Sequence, residues 1–151
     1  MVFLKRRKPR GEKIMKIKII DFGAPKKHRP FRAHDNDAGA DVFSPKAYLI
    51  QPGDVEKIPL GFGLEVPDGY AGYVFPRSSL SAQGIVCELP PIDSSYRGEI
   101  HAIVSNVGKG IYIVKAGERI GQLVIMPVVI ADFVEEVQNG RGAGAFGSTG
   151  T

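Results

Sequence analysis

At 151 residues the chain has the size of one ordinary domain and can bury a core without disulfide staples, and its single cysteine, Cys87, excludes an intramolecular disulfide. With 43% hydrophobic and 24% charged residues it reads as a soluble globular protein in a reducing, cytoplasmic setting. No run approaches the roughly 18–20 apolar residues that cross a bilayer, and no apolar stretch follows the basic N-terminus as a secretory signal requires, so no membrane partner is expected.

The net charge of +4 is local. Residues 1–16 hold seven basic side chains against Glu12, a net of +6 that leaves −2 for the rest. Lys5-Arg6-Arg7-Lys8 reads either as a nuclear-import or nucleic-acid patch or as a solvated tail. Its terminal position favours a disordered leader over residues 1–14, ahead of a β domain over 15–138.

From Lys16-Ile17-Lys18-Ile19 onward, short β-rich runs recur between Gly, Pro and Asp. The pattern predicts strands near 16–22, 40–43, 47–50, 55–59, 62–66, 70–76, 84–88, 98–105, 111–114, 119–127 and 131–137. Turn signals stand at Gln51-Pro52-Gly53-Asp54, Val66-Pro67-Asp68-Gly69 and Lys115-Ala116-Gly117-Glu118. One short helix is expected over Ser78–Gln83, capped by Ser78 or Ser79. Evenly spaced short strands with 19 Gly and 11 Pro predict an all-β sandwich or barrel-like fold. Residues 139–151 have little to bury and read as a mobile arm whose backbone N–H groups can cradle phosphate.

Four segments inside the domain carry candidate chemistry. Asp41, in Ala38-Gly39-Ala40-Asp41-Val42, is a solvent-facing strand residue or a carboxylate near a metal. Pro76-Arg77-Ser78-Ser79-Leu80 opens the predicted helix with a guanidinium and two hydroxyls, which suits either a phosphate site or a plain capped turn. In Ile92-Asp93-Ser94-Ser95-Tyr96-Arg97-Gly98, Asp93 is placed to take a proton from water and Tyr96 offers a flat face, though Asp-Ser-Ser is also good turn chemistry. Arg119 and Gln122, in Gly117-Glu118-Arg119-Ile120-Gly121-Gln122-Leu123, are candidate ligand donors. Gly61-Phe62-Gly63 lacks the rest of a dinucleotide fingerprint, and there is no P-loop. His28, His34 and His101 lack metal-ligand spacing, and Cys87 reads as a small buried hydrophobe.

Taken in order, AGADV, PRSSL, IDSSYRGEI, GERIGQL and RGAGAFGSTG resemble the homotrimeric dUTP diphosphatase (dUTPase) family, over nearly all of Met15–Thr151. The resemblance implies a distorted β jelly-roll subunit, three of which share active sites, with the C-terminal arm closing over a neighbour's site. It implies conversion of dUTP and water to dUMP and pyrophosphate, with Mg²⁺ on the triphosphate. It further implies a role in limiting uracil in DNA and supplying dUMP for thymidylate synthesis. Asp93 would deprotonate the attacking water, and Tyr96 would lie under the deoxyribose and leave no room for a 2′-hydroxyl. Arg77, Ser78 and Gln122 would hold phosphates, with Ser79 beside them, and Asp41 would act through water near the metal. In the arm, Arg141 would contact the γ-phosphate, Phe146 would stack over uracil, and Ser148 and Thr149 would bind the terminal phosphates, with Gly147 among the substrate contacts. The chain departs from the family at Cys87-Glu88-Leu89-Pro90-Pro91, where many members have a glycine-containing hairpin, and at Ala145 in place of a glycine. Two other readings compete: the dCTP deaminase branch of the same fold, and a nonenzymatic trimer binding nucleic acid or a regulator.

Overall fold

The computed structural model describes residues 14–135. The leader apart from Ile14, and the whole glycine-rich arm with Arg141, Phe146, Gly147, Ser148 and Thr149, lie outside them.

Among the described residues the chain forms strands β1 (Ile19–Asp21), β2 (Ala40–Phe43), β3 (Tyr48–Ile50), β4 (Val55–Pro59) and β5 (Phe62–Leu64). After these come β6 (Tyr70–Phe75), one helical turn α1 (Ser78–Ser81), β7 (Ile85–Glu88), β8 (His101–Asn106), β9 (Tyr112–Val114) and β10 (Arg119–Pro127). All pairing is antiparallel: β1 with β5, β3 with β9, and two three-stranded sheets ordered β2-β10-β6 and β4-β8-β7. The fold is all-β with one short helix, as the sequence predicts.

Each predicted strand up to residue 127 is present, several of them shorter at the ends. The predicted turns form as well. Asp54 N donates to Gln51 O at 3.0 Å and Glu118 N to Lys115 O at 3.0 Å. Gly53 (φ +87°) and Gly117 (φ +78°) each take the third turn position, where a left-handed backbone excludes most side chains. Strand alternation sends one row of side chains into a core where Phe62, Ile50, Ile58, Ile100, Val104 and Val114 are fully buried. On β8, Ala102 and Val104 enter that core, so His101, Ile103 and Ser105 take the opposite face.

Two expectations are corrected. The segment 131–135 is not a strand, although its pattern predicts one near 131–137. Val129, Ile130, Phe133 and Val134 are 91, 80, 98 and 75% exposed, so nothing in the described part of this chain pairs with them or covers them. The helix is four residues long and its N-cap is Arg77, without a side-chain capping bond, and not Ser78 or Ser79. Ser78 is already the first helical residue, because Arg77 is extended (φ −79°, ψ 140°) and its carbonyl accepts from Leu80 N and Ser81 N.

Asn106, at the end of β8, ties three segments together. Its Nδ2 donates to Ile50 O (2.9 Å) and Gly110 O (2.8 Å), and its Oδ1 accepts from Gly108 N (3.0 Å), with the residue 1% exposed. Truncation leaves three backbone groups unpaired, at about 1–3 kcal/mol each where they stay buried. Asn106→Ala is therefore expected to lower unfolding stability by about 3 kcal/mol or more in urea titration. A loss under about 1 kcal/mol would mean that water replaces these bonds freely.

Candidate active site

Strand register assembles a first cluster. On β10, Gln122 lies opposite Asp41 of β2 on one side and Phe75 of β6 on the other, and Arg77 follows two residues after Phe75. Gln122 Nε2 donates to Pro76 O at 3.2 Å, and Arg77 Nη1 donates to Arg119 O at 3.3 Å. Gly39 packs directly on Gln122, so that a Cβ there would fall 2.8 Å from the Gln122 Cβ. The glycine of the first motif is thus what allows β10 to bring Gln122 beside Asp41. Asp41 Oδ2 pairs with Arg119 Nη1 at 3.1 Å. Ser78 and Ser79 are exposed, while Leu80 is buried and anchors the turn. One helical turn sums too few peptide dipoles to act as a macrodipole. Any attraction for anions here would come from the Arg77 guanidinium and the first N–H groups of the turn.

The second cluster surrounds a cavity of about 210 Å³. Asp93, Tyr96, Glu88, Lys57, Glu99 and His101 supply its polar lining, with Pro90, Pro91, Ile92 and Ile103 among the apolar walls. Ile92 is fixed to β6 by a pair of backbone bonds with Gly72 (3.0 and 2.8 Å). Asp93 O then accepts from Tyr96 N at 3.1 Å, closing a tight turn. The turn is held by backbone, which leaves the exposed Asp93 carboxylate without a hydrogen-bond partner among the described residues. Tyr96 Oη donates to Glu99 O at 2.8 Å, and Glu99 Oε1 accepts from Gly61 N at 2.8 Å. The Tyr96 ring lies against Gly98, where any Cβ would collide with it. It is pinned at its hydroxyl yet 44% exposed, so one face is free to stack.

The structure therefore brings Asp93 together with Tyr96, and Asp41 together with Arg77 and Gln122. It does not merge the two groups: none of Asp41, Arg77, Ser78, Ser79 and Gln122 lines the Asp93 cavity. Pattern reading of the sequence passes over Lys57, Glu99 and His101 in the cavity wall. The register of β8 was the signal that would have found Lys57 and Glu88, since both pair with Ile103 from opposite sides. Cys87 is not a nucleophile. Burial, with the neighbouring Glu88 charge added, pushes its thiol up to about 11, so it stays protonated at neutral pH. His28 stacks on Phe43 with ring centroids 5.7 Å apart, and His34 belongs to a turn closed by the Asp37 carboxylate.

Comparison with known proteins gives a consistent answer. A sequence model of the dUTPase family matches residues 26–150. The deoxyuridine 5′-triphosphate nucleotidohydrolase of Clostridium kluyveri is 43% identical over 128 residues, covering 81% of this chain and 90% of that protein. The protein of the same name from Tropheryma whipplei is 42% identical over 130 residues, covering 82% and 89%. Among solved structures, the dUTPase of Staphylococcus bacteriophage 80alpha with dUpNHpp superposes with a TM-score of 0.76 at 28% identity, over 90% of this chain and 99% of that one. The expected jelly-roll class is confirmed by that likeness, and by sequence and fold together the chain belongs to the dUTPase family.

Proposed function

We propose that the chain hydrolyses dUTP to dUMP and pyrophosphate. The observation that carries this reading is the unpartnered Asp93 carboxylate beside the pinned Tyr96 ring, in one cavity. Asp93 positions a water for in-line attack on the α-phosphorus and takes its proton. The new bond is water oxygen to α-phosphorus, and the bond that breaks joins that phosphorus to the bridging oxygen of the leaving pyrophosphate. Tyr96 packs under the deoxyribose and excludes a 2′-hydroxyl. Positioning supplies most of the rate in such a reaction, because little covalent chemistry is asked of the protein.

The triphosphate extends out of the cavity, and Arg77, Ser78, Ser79 and Gln122 are the groups suited to hold it. Because they lie outside the Asp93 cavity, the site is completed between copies of the chain in a homotrimer. The bare Val129, Ile130, Phe133 and Val134 surface supports such association. Arg141, Phe146, Gly147, Ser148 and Thr149, outside the described residues, complete the site from the arm.

Mg²⁺ fits as a companion of the triphosphate. Among the described residues no group of three or more His, Cys, Asp or Glu is placed to hold a metal, and Asp41, already paired with Arg119, would act on the ion through water. The ion would neutralise phosphate charge when bound. Among the described residues no helix is long and apolar enough to cross a membrane, and we place the enzyme in the cytoplasm, where dUMP serves thymidylate synthesis and uracil is kept out of DNA.

A pyrophosphate-release assay across dUTP, dCTP, dTTP and UTP tests the reading. The expected result is a kcat/KM for dUTP at least about 100-fold above the others. Ammonia release from dCTP, or no pyrophosphate from dUTP, would overturn it.

A further inference from the structure

The wall above the cavity lacks backbone donors. Between Leu89 and Ile92, Pro90 and Pro91 have no N–H, and the Ile92 N–H is already given to Gly72 O at 2.8 Å. Only Leu89 retains a free N–H there, so side chains must supply most of the donors that the carbonyl oxygens of a bound base need.

Two charged side chains stand where that edge would lie. Glu88 on β7 and Lys57 on β4 both pair in register with Ile103 of β8, so they flank it on one face of the sheet, and both line the cavity. Among the described residues neither forms an ion pair. Glu88 is held in place, because its Oε1 accepts from the hydroxyl of buried Ser105 at 3.0 Å. That leaves Oε2 as a fixed acceptor, with the Lys57 ammonium as a donor across the Ile103 side chain.

We infer that Glu88 and Lys57 read the pyrimidine edge, Glu88 accepting the N3–H of uracil and Lys57 donating to the adjacent carbonyl oxygen. Cytosine presents the reverse order at those two atoms: a lone pair on N3 facing the carboxylate, and an amino group facing the ammonium. Both contacts then become repulsive, and the two charges lose their partners. Specificity in this chain therefore resides in a side-chain pair. The inference rests on the reading that this cavity holds the nucleoside of dUTP.

The test compares kcat/KM for dUTP and dCTP by pyrophosphate release in the full-length protein and its Glu88→Gln and Glu88→Leu variants. In Glu88→Gln the Ser105 hydroxyl keeps Oε1 occupied, so an Nε2–H donor faces N3. Both variants are expected to lower the dUTP:dCTP ratio at least about tenfold through KM for dUTP, with kcat within about twofold. Lys57→Met should lower the ratio in the same direction. Folded variants with an unchanged ratio overturn the inference while the hydrolase reading stands; wild-type protein that releases no pyrophosphate from dUTP overturns both. Imino-proton NMR of dUMP bound to the wild-type protein adds a readout independent of turnover. A solvent-protected N3–H resonance is expected, and rapid exchange with water would overturn the assignment.

Discussion

Asp93→Asn is expected to lower kcat on dUTP by about 10²–10⁴-fold and to leave KM within about threefold. The size follows from the role. A positioned general base contributes about that factor, and an amide of the same shape cannot accept the proton of water. The separation of kcat from KM follows from the structure. The turn that presents Asp93 is closed by its main-chain oxygen on Tyr96 N and by the Ile92–Gly72 bonds, not by its carboxylate. The variant should keep both the fold and the cavity wall. Removing a negative charge near a triphosphate should also not weaken binding. Pyrophosphate release under saturating dUTP gives kcat, and dUpNHpp titration gives affinity without turnover. A variant that retains kcat within tenfold would transfer the base role to another group, with Glu88, Glu99 and His101 the other proton acceptors in the cavity wall.

Much of the fold was legible in the sequence, for a physical reason. Short alternating runs between Gly, Pro and Asp define strands locally. Turns such as Gln51–Asp54 need a left-handed residue that only their glycine supplies easily. Ten strand positions therefore emerged from local pattern alone. Pairing is not local, and that is where the pattern misled. The alternation around Phe133 has the period of a strand, but a strand forms only against a partner edge, and the described part of this chain supplies none. The helix was overestimated because hydroxyl residues at 78 and 79 suit a cap, whereas the extended Arg77 already ends the preceding strand.

The site was legible in two grades. Motifs pointed to Asp93, Tyr96, Arg77 and Gln122, since each carries its chemistry in its own short segment. Lys57 and Glu88 come from segments with no motif, and their meeting across Ile103 depends on a register set 46 residues from Lys57. Asn106 was invisible for the same reason: its value lies in three backbone groups, two of them nearby in sequence and one at Ile50. Neither a conserved-looking segment nor a composition shift marks such a residue.

The division of the site into two clusters yields the second large effect. Arg77→Ala is expected to lose about 10²-fold in turnover or more, as the removal of a charged phosphate clamp does. Alone, it and Asp93→Asn are both nearly inactive. Mixed in equal amounts, unfolded and refolded together, they should regain about one quarter of the wild-type sites if each site takes Asp93 from one copy and Arg77 from a neighbour in a cyclic trimer. The arithmetic is that a site works only when its Asp93 donor is an Arg77→Ala chain and its Arg77 donor is an Asp93→Asn chain, each with probability one half. If both residues served from the same chain, every site would carry a lesion and the mixture would stay at the level of the two variants. The distinction is a change of more than about tenfold against none, and it does not depend on either variant's exact residual rate. Light scattering should report the trimer mass in the same samples, and native mass spectrometry the mixed composition, so that a silent mixture with mixed trimers present would rule out sites built from two copies. The absence of Arg77 and Gln122 from the wall of the Asp93 cavity is the structural reason to expect recovery.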